Sequence, residues 1–242
     1  MAEASNAGSV PHGPYPHKDL RRILGSVRIL WRDERLVVVD KPSGLLVHRG
    51  WAREPVVAMS LVRDLVGRFV YPVHRLDRGA SGALLMALDA ETAAALSALF
   101  EAGAVGKRYL ALVRGVAPEA GRIDHPIPRR EDGPRVPAVT VFRRLAVCDG
   151  YSVVEAAPET GRLHQVRRHL KHIAHPIIGD ATYGKGAHNR LLRERFGLAR
   201  LALHASCLRF VHPWTGAEIC ARAPLPADLA GPLARMGLHI DQ

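Results

Sequence analysis

Asp77 lies between two arginines in the run His74-Arg75-Leu76-Asp77-Arg78-Gly79-Ala80-Ser81-Gly82, a polar turn that leads straight into the apolar segment 83–88. Loops anchored to rigid strands are where reactive groups are commonly displayed. Flanking guanidinium groups favour a carboxylate over the acid, so Asp77 is expected to be ionised, with a lowered pKa, and available as a nucleophile or base. The plain alternative is a turn residue paired with a neighbouring arginine. A kinase reading of the letters His-Arg-Leu-Asp fails, because the aspartate does not directly follow the arginine and no glycine-rich nucleotide loop is present.

A second concentration of polar groups reads Glu159-Thr160-Gly161-Arg162-Leu163-His164-Gln165-Val166-Arg167-Arg168-His169-Leu170. At helical spacing Arg167 falls four residues after Leu163 and three before Leu170, at the edge of an apolar stripe, while Arg168 and Lys171 face away. A charge set half into a core is costly when unpaired, and Asp77 is the candidate partner; the alternative is an arginine that snorkels to solvent. In a third segment, 106–113, Tyr109 opens an apolar strand after two cations, a pattern that also fits an ordinary half-buried tyrosine. The thirteen histidines raise metal-dependent hydrolysis as a rival. His164, His169, His172 and His175 scatter around a helix axis and do not converge as an i, i+4 pair with a third ligand, so no metal site is expected.

The elements that must position these groups are mostly short. Apolar, β-branched runs at 36–39, 45–47, 83–88, 109–113, 139–147, 151–156, 201–210 and 218–221 are read as strands, punctuated by Gly, Pro and Asp. Asp89 is placed to cap a helix through the Ala-rich stretch that Gly103 closes. Another helix is expected from near Gly161, with Leu163, Val166, Leu170 and Ile173 on one face and His175-Pro176 at its end. Residues 190–200 read as an exposed basic helix or loop. Many strands and few helices, not strictly alternating, predict an α+β fold around a large mixed, mainly antiparallel sheet flanked by helices and loops.

Taken together, the three polar segments resemble the RluA-type pseudouridine synthases. That family's signatures are HRLDxxTSG, a K-R-Y strand, and GRxHQxR followed by HPIxGD; here they read HRLDRGASG, KRYLALV, and GRLHQVRRHL followed by His175-Pro176-Ile177-Ile178-Gly179-Asp180. The match runs over most of 29–226, including Asp40-Lys41-Pro42-Ser43-Gly44 and Leu203-His204-Ala205 ahead of His212-Pro213. One departure is Ala80, where the family carries threonine; that hydroxyl is not the nucleophile, so changed loop hydrogen bonding is expected and activity is not lost.

The resemblance implies the pseudouridine synthase fold with a central catalytic cleft. It implies Asp77 as nucleophile, Tyr109 as the ring that packs on the target base and helps remove its C5 proton, and Arg167 as the partner of Asp77. Arg75 would fill the gap left by a flipped uridine, and Leu203 would form part of the apolar floor. Arg78, Arg162, His164 and Gln165 are expected to contact RNA, and Arg190, Arg193, Arg195 and Arg200 to line its backbone. Isomerising uridine breaks one glycosidic bond and makes another, so no cofactor is expected. Leu46-Val47-His48-Arg49 followed by Trp51, and the long run from Gly179 through Tyr183 to Leu198, resemble the subgroup that modifies uridine-65 of tRNA. Ribosomal RNA is the alternative substrate, and a catalytically silent RNA-binding protein the alternative of another class.

Composition agrees with an RNA partner. The 242 residues carry 34 Lys and Arg against 23 Asp and Glu, a formal net charge of +11. Such a surplus favours polyanions, because each phosphate neutralised releases counterions. Aromatic residues make up only 5% of the chain, which argues for recognition by backbone shape and charge over a stacking platform for long single strands. No stretch approaches a membrane span and no apolar signal region opens the chain, so a cytoplasmic protein, monomeric and without a membrane partner, is expected. Cys148, Cys207 and Cys220 are too far apart in sequence for a disulfide framework or a zinc motif and are read as small buried hydrophobes. Residues 1–25, rich in Gly, Pro, Ser and His, are read as a flexible leader before a single catalytic domain over 26–242.

Overall fold

The computed structural model describes residues 27–49, 54, 56–129 and 133–240; the leader and Trp51 lie outside the described residues. A ten-stranded sheet dominates. Along it run β1 (Arg28–Arg32), β2 (Leu36–Lys41), β4 (Ser81–Ala87), β11 (Leu203–Val211), β5 (Gly106–Arg114), β10 (Tyr151–Pro158), β9 (Val139–Cys148) and β6 (Ala120–Asp124), in that order. Two further strands hang on it: β3 (Tyr71–Pro72) beside β4 and β12 (Glu218–Arg222) beside β11. A small hairpin joins β7 (Ile127–Pro128) to β8 (Arg135–Val136). Every pairing is antiparallel except β4 with β11, so the expectation of a mixed, mainly antiparallel α+β fold holds.

The central strands are apolar without alternation because both faces are covered. Val37, Val39, Leu84 and Met86 pack on α1 (Ala58–Val66) through Leu61 and Val62. Leu36, Val38, Ala83 and Leu85 lie on the other face with Leu96 of α2 (Ala90–Glu101). As expected, Asp89 caps α2 by accepting from the Thr92 N–H at 2.7 Å. A third core joins β5, β10 and β11 to α3 (Gln165–His172), α4 (Gly186–Phe196) and α5 (Ala227–Arg235) through Val153, Leu170, Leu192 and Leu229. No helix among the described residues is long and apolar enough to cross a membrane.

Three expectations need correction. Residues 45–47 are not a strand: Leu45 and Val47 are buried, but the carbonyls of Leu46 and Val47 accept from the N–H groups of Ala58 and Met59 and so close the N-terminus of α1. The second helix starts at Gln165, not near Gly161, and Leu163 lies outside its buried face with 40% exposure. The cysteines are not buried: β11 and β12 bring Cys207 and Cys220 to an Sγ–Sγ distance of 3.5 Å, with Cys220 exposed and Cys148 and Cys207 partly so.

Candidate active site

Three neighbouring strands build the site. Asp77 ends the loop that enters β4, Tyr109 lies in β5, and Leu203 opens β11 between them, paired with Ala111 while Ala205 pairs with Tyr109. The parallel β4–β11 pairing needs Gly82: its φ is +112°, and a Cβ there would overlap the Ala205 carbonyl. The side chains of Asp77, Tyr109, Leu203, His164 and Arg167 face one cleft of about 760 Å³, with Arg75 at its rim. That is ample room for a single nucleotide's base and sugar.

The loop carrying Asp77 is held from behind. The turn after β2 supplies the Ser43 hydroxyl, which donates to Gly79 O at 2.7 Å, and the Gly44 N–H, which donates to Arg78 O at 2.7 Å. Lys41, fully buried, gives Nζ to Leu45 O at 2.7 Å and Pro42 O at 2.9 Å and approaches Arg78 O at 3.5 Å. Burial, with Arg200 nearby, lowers its pKa to about 7 against the pull of Asp77 and Asp40. From the other side Arg200 donates to the Ser81 hydroxyl at 2.8 Å and to Leu203 O at 3.0 Å. The Ser81 hydroxyl meets Nδ1 of buried His204 at 2.9 Å, and His204 Nε2 reaches Ala223 O at 3.1 Å. Since Nε2 must donate to that carbonyl, Nδ1 accepts from Ser81. Ala80 is buried, and its N–H donates to Asp77 O at 3.1 Å, so the turn closes through backbone without the family's threonine hydroxyl.

Arg167 sits at the centre of the charges. Its Nη1 donates to Asp77 Oδ2 at 2.9 Å, while Nε and Nη2 take both oxygens of Asp180 at 2.7 and 2.8 Å. Tyr183 lies under the guanidinium, its ring centre 5.0 Å away. Burial works against the cation, but the hydrogen bonds and charges of Asp180, then of Asp77, outweigh it and raise its pKa. Burial also acts on Asp180, where Arg167 and the N–H groups of Tyr183 and Thr182 win and hold the carboxyl below its ordinary range. Tyr109 is half-buried; desolvation, then the charge of Asp77, raise its pKa and keep the phenol protonated.

Comparison with known proteins gives the family. The sequence profile described as RNA pseudouridylate synthase covers residues 35–172. A relative from Vibrio cholerae serotype O1, tRNA pseudouridine synthase C, is 41% identical over 234 residues, covering 87% of this chain and 96% of its own. The chain belongs to the RNA pseudouridylate synthase family. The tRNA pseudouridine synthase C of Haemophilus ducreyi is 43% identical, with 87% and 96% covered. Among solved structures, human RNA pseudouridylate synthase domain containing 4 superposes with a TM-score of 0.73 at 30% identity, covering 93% of this chain and 97% of that one. Human RNA pseudouridylate synthase domain containing 1 gives 0.71 at 27%, covering 85% and 87%.

Against this pseudouridylate synthase frame the other expected residues divide. Arg75, Arg162, His164 and Gln165 line the cleft with the catalytic candidates. Gln165 faces inward, however: its Oε1 accepts from the Thr160 hydroxyl and the Arg162 N–H, and its Nε2 donates to Val139 O and Thr140 Oγ1. It builds the turn that delays α3 and leaves Leu163 on the cleft wall. Arg78 does not line the cleft; it turns to Gly44 O at 3.2 Å and Glu54 at 3.0 Å. The counter-ion of Asp77 therefore comes from α3, and neighbouring Arg78 points elsewhere. Arg190, Arg193 and Arg195 are exposed on α4, whereas Arg200 is drawn into the protein and paired with Asp228 at 2.9 Å. The four histidines of the metal-hydrolase alternative are each engaged within the protein: His164 faces Tyr183, His169 lies between Thr140 and His125 O, His172 stacks on His125, and His175 reaches Arg114 O.

Asp180, Tyr183, Lys41, Arg200 and His204 were assigned no catalytic-site role from sequence. Lys41, His204 and Asp180 fall within the matched motifs, and Asp180 alone also left a physical signal. An arginine forced against a core by its helix needs acids nearby, and Asp180 follows soon after that helix ends.

Proposed function

We propose that this chain converts a uridine of tRNA, uridine-65 on the T-stem side, to pseudouridine, with Asp77 as nucleophile. The observation that carries this reading is the Asp77 carboxylate at the foot of an open cleft, fixed by an arginine that is itself gripped by a second, buried aspartate. The relatives carrying the name tRNA pseudouridine synthase C support tRNA as the substrate. The ten-stranded sheet, which joins strands from β1 to β12 with only β7 and β8 outside it, supports one catalytic unit over 26–242.

The reaction breaks the N1–C1′ bond, turns the uracil, forms C5–C1′, and moves the C5 proton away as N1 gains one. Attack by Asp77 on C1′, removal of the 2′ proton, and addition to C6 all start from the carboxylate anion. Tyr109, protonated and half-buried, suits a ring that stacks on the base better than a group that takes a proton from it. Leu203 forms the floor. Arg75 at the rim is in place to fill the gap left by the everted nucleotide, offsetting part of the few kcal/mol that unstacking costs. Arg190, Arg193 and Arg195 meet the tRNA backbone from α4.

The test is incubation with total tRNA and with ribosomal RNA transcripts, followed by carbodiimide-blocked primer extension. A new stop in tRNA at uridine-65 is expected. Modification confined to ribosomal RNA overturns the substrate, and no product in either RNA overturns the reaction. In the same assay, Arg190→Ala with Arg193→Ala should raise the tRNA concentration needed for half-maximal rate, leaving the rate at saturation intact.

A further inference from the structure

The carboxylate of Asp77 has two oxygens, and Arg167 accounts for Oδ2. Oδ1 faces the imidazole of His164, with Nε2 at 3.6 Å. The neighbours of this ring determine which nitrogen carries its proton. Arg168 Nε, which can only donate, lies 2.8 Å from the Tyr183 hydroxyl oxygen, and that oxygen lies 3.1 Å from His164 Nδ1. Having accepted from Arg168, the hydroxyl has its own proton to give, and Nδ1 is the acceptor within reach. A neutral ring directed in this way keeps its proton on Nε2, aimed at Oδ1.

The backbone holds the ring there at a cost. His164 has φ 55° and ψ 28°, a left-handed conformation that few non-glycine residues adopt and that clusters at functional positions. Burial lowers its pKa; Asp77 and Asp180 pull the other way, while Arg167 and Arg168 reinforce the effect, so the net direction favours the neutral ring.

We propose that His164 is a positioning residue for the isomerisation, its Nε2–H fixing Oδ1 of Asp77 while Tyr183 fixes the tautomer. Once the pair closes and both oxygens are held, the carboxylate cannot turn about its Cβ–Cγ bond, and its attacking lone pair keeps one direction. A separation of 3.6 Å is too long for a hydrogen bond, and closure on binding of the nucleotide is the expected behaviour of such a pair. This assignment rests on Asp77 as the nucleophile and adds to it a role distinct from RNA contact.

Single-turnover kinetics on the tRNA substrate test it. His164→Phe, which keeps a ring and removes the donor, should slow the rate at saturating enzyme about 10- to 100-fold, the scale of a misplaced reacting group, with tRNA affinity within about 3-fold of wild type. His164→Gln, which carries an N–H to the place of Nε2, should recover most of that loss. Tyr183→Phe, which retains the ring under Arg167, should slow the reaction about 5- to 10-fold and add nothing to His164→Phe. Long-range ¹H–¹⁵N correlation of the wild type should show His164 protonated on Nε2, and this reading needs no activity. The inference falls if His164→Phe weakens tRNA binding and spares the rate, if Gln is as slow as Phe, or if the free enzyme carries the proton on Nδ1. A wild type with the Nε2 tautomer that makes no pseudouridine would instead overturn the function beneath it.

Discussion

A salt bridge buried on one side and open on the other is a way of fixing a carboxylate in place and still leaving it in reach of substrate. Arg167 is held by Asp180 in the protein and by Asp77 at the cleft, so each aspartate restrains the guanidinium for the other. Removing one partner of such a group leaves an uncompensated charge, which costs about 3–5 kcal/mol. Asp180→Asn is therefore expected to lower the free energy of unfolding, measured by urea titration, by an amount in that range and to slow turnover at least about 10-fold; a variant as stable and active as wild type would remove Asp180 from the site. Half of this arrangement was legible in the letters. Arg167 had to find an acid because its helix drives it against Val166 and Leu170. The same spacing could not say that the acid would be two aspartates, nor that Arg78, next to Asp77 in sequence, would turn to Gly44 and Glu54. Side chains on consecutive loop residues diverge, and no sequence period describes them.

At the scale of elements, the site depends on how closely two strands meet. β4 and β11 run parallel beside each other, and Gly82 is the position where a side chain cannot be fitted. Gly82→Ala combines a strained φ with a clash against backbone and should destabilise the protein by about 3 kcal/mol. Thermal melting checks this: a drop of several degrees is expected, and an unchanged melting point would mean the pairing is looser than described. The strands themselves were readable, because β2 and β10 carry paired or tripled valines, β4 and β5 are short apolar runs, and turns bound them. The helices were less so. α1 has its period at Ala58, Leu61, Val62 and Val66 but is only nine residues long, and α5 carries Pro232 in its interior, so neither stands out from a short apolar run. Residues 45–47 misled because a buried apolar run has the same composition in a strand as in a segment whose carbonyls cap a helix.

Across the whole molecule, burial of histidines couples stability to pH. His74 accepts from the Leu85 N–H at 2.8 Å and is pushed down to about 3 by burial and then by Lys107; burial also lowers His169 and His204. Unfolded histidines titrate near 6.5, so below that pH the unfolded chain binds protons that the folded one refuses. Stability is therefore complete above about pH 6.5 and falls as the pH drops toward the folded values, by up to about 1.4 kcal/mol per pH unit for each such histidine. The urea midpoint at pH 5 should lie below that at pH 7.5; a flat profile would contradict the neutral assignment of these rings. Net charge and family motifs, both visible in sequence, pointed to RNA. This internal titration was not visible, since it depends on which of thirteen histidines the fold encloses.

The most direct test of Asp77 as nucleophile is the isosteric change Asp77→Asn, followed by single-turnover pseudouridine formation and by tRNA binding on the same preparation. Loss of product by at least about 10,000-fold, with tRNA affinity within about 3-fold of wild type, is the expected result for a group that acts on the reacting atoms. An Asp77→Asn protein that still forms pseudouridine at a comparable rate would contradict it.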